Sequence, residues 1–269
     1  MKANNLTISI PSKGCDKNCP YCVSKCTGDV ESNVELMKKN TEKVLTMARL
    51  SQVSSVMLTG KGEPCLNFDE VLYYTAKFAE FPMEIQTNGI WLSKNLSRIA
   101  QLADQGMNVV ALSVDDYKCP IVKKLAKAVH DAGRVFRVTF NVTNSNHVKS
   151  FRELFDSCKS KGVDQLTLRK IIAPNFTEPT PQSKWIEENV DLKLYFQLIE
   201  SLKGLCKSSG HHLRTLPYGV EVYDLEGVAV SYSNYCIQDN NNTEDIRSLI
   251  FQEDGHVYTA WNSRASILF

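Results

Sequence analysis

The sequence predicts an α/β fold: a parallel sheet covered by helices, followed by a β-rich C-terminal extension. Three observations carry this. Short runs rich in β-branched residues alternate with longer stretches whose apolar residues recur every three or four positions. Gly106, Gly133 and Gly162 each close a helical stretch just before a strand, where a left-handed cap is wanted. The β-α alternation runs through six strands and changes at Ala173; repeated β-α units imply parallel strands joined by right-handed crossovers.

In order, Leu6–Ile10 reads as the first strand and Val34–Leu50 as a helix. Val53–Thr59, Met83–Thr87, Asn108–Val114, Val135–Val142 and Val163–Ile171 read as further strands. Helices fall between them near Phe68–Phe78, Leu96–Asp104, Ile121–Asp131 and Val148–Lys161. Six strands are too few for a standard eightfold barrel, which leaves a partial barrel or an open doubly wound sheet. In either, ligands bind beyond the C-terminal ends of the strands. With Pro174, Pro179 and Pro181, the stretch from Ala173 to about Asn189 reads as a loop. A last helix at about Leu192–Lys207 follows, capped by Gly210, and then two or three antiparallel strands with turns at Gly219, Gly227 and Gly255. The expected division is a core over residues 1–172 and an extension over 173–269 that packs on it.

At 269 residues the chain can bury a sizeable core, and 43% hydrophobic with 23% charged residues is ordinary for a soluble globular protein. The net charge of +1 supplies no broad positive field for gripping nucleic acid, although a local patch stays open. Met1 to Ser12 lacks the apolar run of a signal peptide, and nothing approaches membrane-spanning length. Nine cysteines, unevenly placed, do not resemble a secreted disulfide scaffold. A cytoplasmic protein with a metal site is expected.

That site is the loop after the first strand, Gly14-Cys15-Asp16-Lys17-Asn18-Cys19-Pro20-Tyr21-Cys22. Three thiolates spaced by three and two residues can wrap an iron–sulfur cluster, and three cysteines on a four-iron cubane leave one iron open. Zinc is the rival, with Cys26 as a fourth ligand in a closed structural site; the usual paired CxxC units are missing. Cys158 and Cys206 lie on apolar helix faces and read as core. Cys65, Cys119 and Cys236 fall in loops and are unassigned by pattern.

The cysteine spacing, with an aromatic residue before the last cysteine and the β-α repeat around it, resembles the radical S-adenosylmethionine (SAM) superfamily. The resemblance covers roughly Leu6 to Ile172. It implies a partial (β/α)6 barrel and a [4Fe-4S] cluster on Cys15, Cys19 and Cys22. The open iron would chelate the amino and carboxylate groups of SAM. Electron transfer would then give methionine and a 5′-deoxyadenosyl radical that abstracts hydrogen from a substrate. An electron donor such as a flavodoxin or ferredoxin is implied.

The second strand ends in Gly60-Lys61-Gly62-Glu63-Pro64, where glycines allow close backbone approach and Glu63 offers a carboxylate to an ammonium. It looks like the family's Gly-Gly-Glu motif, with Lys61 inserted, which implies SAM binding by Gly60, Gly62 and Glu63. Through Asn67 the string is similar to radical SAM adenine methylases of RNA; their extra N-terminal domain is missing, so that activity is not carried over. Gln86-Thr87-Asn88-Gly89 is similar to the Thr-Asn-Gly of glycyl-radical activating enzymes, which implies SAM contacts at Thr87 and Asn88. Ser113-Val114-Asp115-Asp116 closes strand four and suits hydroxyl or ribose contacts, with Ser113 the expected cofactor contact. Arg137 and Asn141 on strand five and Arg169 on strand six are further polar positions, Arg169 being placed with the cofactor residues. His211 and His212 read as surface, and the C-terminal aromatics, including Tyr218 and Tyr235, as cross-strand packing. No catalytic residue is assigned, and the substrate is open among a nucleotide, RNA, a peptide or a small molecule. A glycyl-radical activase is the alternative enzyme, and a zinc-stabilised binding module the non-enzyme alternative.

Overall fold

The computed structural model describes residues 2–28, 30–144, 148–173, 179–216, 219–233, 245–261 and 263–269. Pro174, Tyr218, Tyr235 and Cys236 therefore lie outside the described residues.

The six expected strands form: β1 (Ala3–Ser9), β2 (Ser55–Thr59), β3 (Met83–Thr87), β4 (Met107–Val114), β5 (Val135–Val142) and β6 (Gln165–Lys170). Between them come α1 (Val23–Cys26), α2 (Val34–Leu50), α3 (Phe68–Lys77), α4 (Ile90–Lys94), α5 (Ser97–Asp104), α6 (Ile121–Asp131) and α7 (Phe151–Ser160). Local chemistry sets these ends. The Asn33 side chain caps α2 by accepting from Leu36 N, and Ser150 caps α7 by accepting from Glu153 N. Gly106, Gly133 and Gly162 carry the expected positive φ of 105°, 68° and 82°.

The extension corrects the sequence reading in two places. Thr180 and Ser183 form a capping box and Pro181 sits in the first turn, so α8 (Pro181–Asn189) stands where a loop was expected. Proline lacks an N–H that this position leaves unused anyway. Helix α9 (Leu192–Ser209) follows, then β7 (Gly210–Thr215), β8 (Glu221–Leu225), β9 (Val228–Ser233), β10 (Ile246–Phe251) and β11 (Val257–Tyr258). These are not simply antiparallel. Strand β9 pairs parallel with β6, and β10 pairs parallel with β1, Ala3 lying opposite Ile246. The sheet order is β11-β10-β1-β2-β3-β4-β5-β6-β9-β8-β7, with antiparallel pairing only beyond β10 and β9.

Alternation along the strands separates two faces. Leu6, Ile8, Val56, Leu58, Ile85, Val110, Leu112, Phe136, Val138, Phe140, Leu166 and Leu168 enter one apolar core with helix residues such as Met37, Val71, Leu102, Leu125 and Leu154. The opposite face is polar, and register aligns it: Ser113 with Thr139, Thr139 with Thr167, Thr167 with Ser231, and Asn141 with Arg169. Thr7, Ser9, Glu84, Thr139 and Asn141 on that face are nonetheless buried. A doubly wound sheet would need apolar residues on both faces. One apolar face and one sheltered polar face fit a sheet curved into a partial barrel.

Candidate active site

All parallel strands end on one rim, and the cysteine loop leaves β1 there. Cys15 is exposed, Cys19 and Cys22 are half-buried, and none is in a disulfide. The loop is fastened at its start by Ser12 N donating to Glu253 Oε2 at 2.9 Å, in the segment after β10. Glu253 was not anticipated; it reaches the site only because β10 lies beside β1.

The second loop packs directly on the first. A Cβ on Gly62 would lie 2.2 Å from the Gly14 carbonyl oxygen and 2.5 Å from Ser12 Oγ, so only glycine allows this approach. Glu63 N donates to Gly14 O at 2.9 Å, and Asn67 Nδ2 to Pro11 O at 2.9 Å. Gly60 is less tightly placed, its Cβ position 3.1 Å from Ile10 O. Lys61 Nζ donates to Gly28 O and, at 3.1 Å, to Thr27 Oγ1 beyond the cysteines.

Glu63 is not a surface residue. It is 2% exposed, and its carboxylate accepts from Thr87 Oγ1 (2.6 Å), Asn88 N (2.7 Å) and Cys65 N (3.1 Å). Burial raises its pKa, and the donated bonds oppose the rise. It ties the β2 loop to the β3 loop. Asn88 then reaches the cysteine loop: its Nδ2 donates to Asp16 Oδ1 at 2.7 Å and lies 3.6 Å from Cys15 Sγ. Its Oδ1 accepts from Ile90 N, which opens α4.

The β4 end grips the same loop. Lys17 Nζ donates to Asp115 Oδ1 at 2.9 Å and Tyr21 OH to Asp115 Oδ2 at 2.6 Å. Burial alone would raise the Asp115 pKa, but these bonds hold it below the usual value. Burial and Asp115 push the Tyr21 phenol well above its ordinary range. Burial also raises the Cys19 thiol, against the pull of Lys17. Asp115, expected to offer a ligand contact, is thus engaged in holding the loop. Ser113 is half-buried on the polar face of β4. Arg169 stands on β6, two strands further along.

Helix α8 covers this side. Tyr21, Cys26, Ile171 and Ile186 form a small apolar cluster with Trp185 against it, and the Tyr21 and Trp185 rings lie 5.8 Å apart. Cys26 is turned into that cluster, with Thr180 Oγ1 3.6 Å from its sulfur. Cys158 and Cys206 are buried as expected, their thiols pushed up to about 12 and about 11 by burial. Cys65 is fully buried, its pKa raised well above normal, and Cys119 is half-buried. His211 and His212 are exposed on β7.

Among the described residues, no three Cys, His, Asp or Glu side chains already converge on one point as a formed ion site. The donor set nonetheless suits an iron–sulfur cluster. Three free thiols lie on one loop that has no helix or strand between Ile10 and Cys22, and the glycines of the second loop are packed against it.

Comparison with known proteins agrees with this geometry. The chain is 35% identical over 92 residues to the 7-carboxy-7-deazaguanine synthase of Clostridium acetobutylicum, a match covering 33% of the chain and 40% of that enzyme. SuiB of Streptococcus suis, solved with bound S-adenosylmethionine, shares the fold with a TM-score of 0.64 at 19% identity; the match covers 96% of this chain and 60% of SuiB. A second SuiB structure gives 0.60 at 18% identity, with the same coverage. The chain thus spans 40% of the synthase and 60% of SuiB. The family model of the radical SAM superfamily matches residues 9–146, which takes in the cysteine loop, the Gly60–Glu63 turn and the ends of β3, β4 and β5. With more than half of the sequence matched and the fold in agreement, the chain belongs to the radical SAM superfamily.

Proposed function

We propose that this enzyme holds a [4Fe-4S] cluster on Cys15, Cys19 and Cys22 and cleaves SAM reductively, generating a radical that abstracts hydrogen from an organic substrate. When bound, the cluster supplies the electron for cleavage and an open iron for the amino-acid end of SAM. The observation that carries this reading is the mutual fastening of three rim loops: Gly62 against Gly14, Glu63 to Thr87 and Asn88, and Asn88 to Asp16 beside Cys15.

The protein's part is orientation. Gly60 and Gly62 bring the β2 backbone close to the cysteine loop, where its carbonyl groups can face the SAM ammonium. Glu63 fixes that turn and adds negative charge behind it. Thr87 and Asn88 set the third loop, and Ser113 offers a hydroxyl on the next strand. Trp185 and Ile186 shield the loop from water on the Tyr21 side, which favours a cluster sheltered from solvent.

No helix among the described residues is long and apolar enough to cross a membrane. A low-potential flavodoxin or ferredoxin in the cytoplasm is the proposed electron donor. A second reading narrows the substrate to a nitrogen heterocycle, on the strength of the 92-residue match to an enzyme named for 7-carboxy-7-deazaguanine.

The test is anaerobic reconstitution with iron and sulfide, then incubation with SAM and dithionite. About four irons per chain and release of 5′-deoxyadenosine are expected. A colourless protein with one tight zinc and no 5′-deoxyadenosine would favour the binding-module alternative.

A further inference from the structure

Most polar side chains on this rim hold one loop to the next. Asn88 does this and also faces a cysteine sulfur. Its backbone is fixed first. The Asn88 N–H donates to Glu63 Oε2 at 2.7 Å. Gly89 behind it has a φ of 75°, and a Cβ there would lie 2.4 Å from Leu112 Cδ1, so the chain turns here as only glycine allows.

The side-chain amide is then fixed at both ends. Its Oδ1 accepts from Ile90 N at 2.9 Å, at the first residue of α4. The NH2 group therefore points the other way, toward the cysteine loop. An amide nitrogen carries two hydrogens, and both have acceptors. One goes to Asp16 Oδ1 at 2.7 Å. The other faces Cys15 Sγ at 3.6 Å, a hydrogen-bonding distance for the larger sulfur atom. The reverse orientation would set Oδ1 against the Asp16 carboxylate and the NH2 group against the Ile90 N–H, so the network assigns the amide. Cys15 is the exposed member of the three cysteines.

We infer that Asn88 tunes the reduction potential of the cluster by donating an N–H···S hydrogen bond to the Cys15 thiolate. Cluster potentials depend on hydrogen bonds to the sulfurs and on net charge. Reduction passes one electron from the low-potential flavodoxin or ferredoxin to the cluster and its thiolates. No covalent bond forms or breaks at Asn88, and no proton leaves it. The N–H dipole has its positive end on the sulfur, so it stabilises the reduced, more negative form more than the oxidised one. The Asp16 charge beside Cys15 works the other way, and the second amide hydrogen faces that charge. Asn88 thus makes the cluster easier to reduce. It acts through Cys15 and is a positioning residue. With both amide hydrogens committed to the cysteine loop, this role is separate from the SAM contact expected of the residue. The inference deepens the radical SAM reading and rests on it.

The test is a redox titration of the reconstituted full-length protein without SAM, read by EPR of the reduced cluster. Asn88→Ser isolates the effect: its hydroxyl can still accept from Ile90 N but is too short for Cys15. At a fixed solution potential the ratio of reduced to oxidised cluster should fall roughly tenfold, which is a potential lower by about 59 mV for a one-electron couple. Asn88→Asp keeps the Ile90 acceptor and adds a negative charge, so its potential should fall further. Iron should stay at about four per chain in both. In wild type isotopically labelled at the asparagine side-chain nitrogens, pulsed EPR should show a nitrogen coupling to the reduced cluster that Asn88→Ser lacks. The wild-type measurement decides the matter even where a variant fails to hold iron. An unchanged potential in iron-replete Asn88→Ser, or no nitrogen coupling in wild type, would overturn the assignment. Weaker SAM binding in Asn88→Ser with the potential unchanged would overturn it too, by giving the amide to SAM. Failure of the cluster reading itself is seen separately, as a wild type that takes up no four-iron cluster.

Discussion

Replacing Glu63 with Gln tests the central brace of the site. The carboxylate accepts three hydrogen bonds, at 2.6 Å from Thr87, 2.7 Å from Asn88 and 3.1 Å from Cys65. Glutamine keeps one oxygen. If that oxygen stays with Thr87 and Cys65, the new amide N–H points at the Asn88 N–H and that bond is lost. A hydrogen bond to a charged group contributes roughly 1.5–3 kcal/mol, and the two remaining bonds lose their charge assistance. Relief from burying a carboxylate, the largest influence on this group's ionisation, works against these losses, so the cost left is chiefly the amide N–H facing the Asn88 N–H. A net destabilisation of about 1–3 kcal/mol follows, or a Tm lowered by about 2–12 °C at roughly 2–4 °C per kcal/mol for a chain of this size. The assay is thermal unfolding of the metal-free protein, followed by SAM binding after reconstitution. The sign with pH also follows. Because burial raises the folded-state pKa, this group's contribution is fullest below its unfolded pKa and falls as pH rises through the folded value. The gap between wild type and Glu63→Gln should narrow over that window. A double-mutant cycle with Thr87→Val should show coupling of roughly 0.5–3 kcal/mol. An unchanged Tm with additive effects would refute the brace and, with it, the mutual fastening of the second and third loops.

Other consequences can be checked as directly. Cys15→Ala, Cys19→Ala and Cys22→Ala should each lose the iron on reconstitution, while Cys26→Ala, whose sulfur is turned toward Thr180 and Ile186, should keep it; equal loss in all four would mean four-cysteine ligation. Gly62→Ala should lower both Tm and iron retention, because a Cβ would meet the Gly14 carbonyl oxygen at 2.2 Å and backbone cannot swing aside as a side chain can. The Glu226 carboxyl should titrate near pH 2, held down by Arg152 and Lys159. Its stabilising contribution should be complete above about pH 4.5, its ordinary value, and fade as pH falls toward 2; proton NMR of wild type against Arg152→Ala measures this.

How much of the fold was legible depends on how local each signal is. The six β-α units were readable because alternation, caps and glycine stops all act within a few residues. The fate of Val228–Ser233 and Ile246–Phe251 was not. Their β-type composition was plain, but a parallel partner is chosen by packing across the whole chain. Ile246 pairs with Ala3 and Ala229 with Gln165, and no turn residue announces such pairings. Nearby glycines favoured antiparallel hairpins, which hold only for β7 to β9 and for β10 with β11. Helix α8 escapes local legibility for a different reason. Three prolines within residues 174–181 argued for a loop, yet Pro181 in a first turn, behind Thr180 and ahead of Ser183, is also a helix start.

The site divides along the same line. Three cysteines on one loop announce their chemistry by spacing alone. What a polar side chain on a strand does depends on its neighbours across the sheet, which spacing cannot reveal. Arg137, Asn141 and Arg169 all read alike as polar residues on strands five and six. Register puts them on the same face, but Glu84 reaches Arg137 from β3, whereas Arg169 meets no acid among the described residues and Asn141 keeps a buried oxygen unpaired. Asp115 shows the same dependence on neighbours. Its position at the end of β4 suggested a contact for ligand hydroxyls, yet Lys17 and Tyr21 from the cysteine loop lie against its two oxygens. What each polar group on this rim does is therefore decided by its partners across the sheet rather than by residue type.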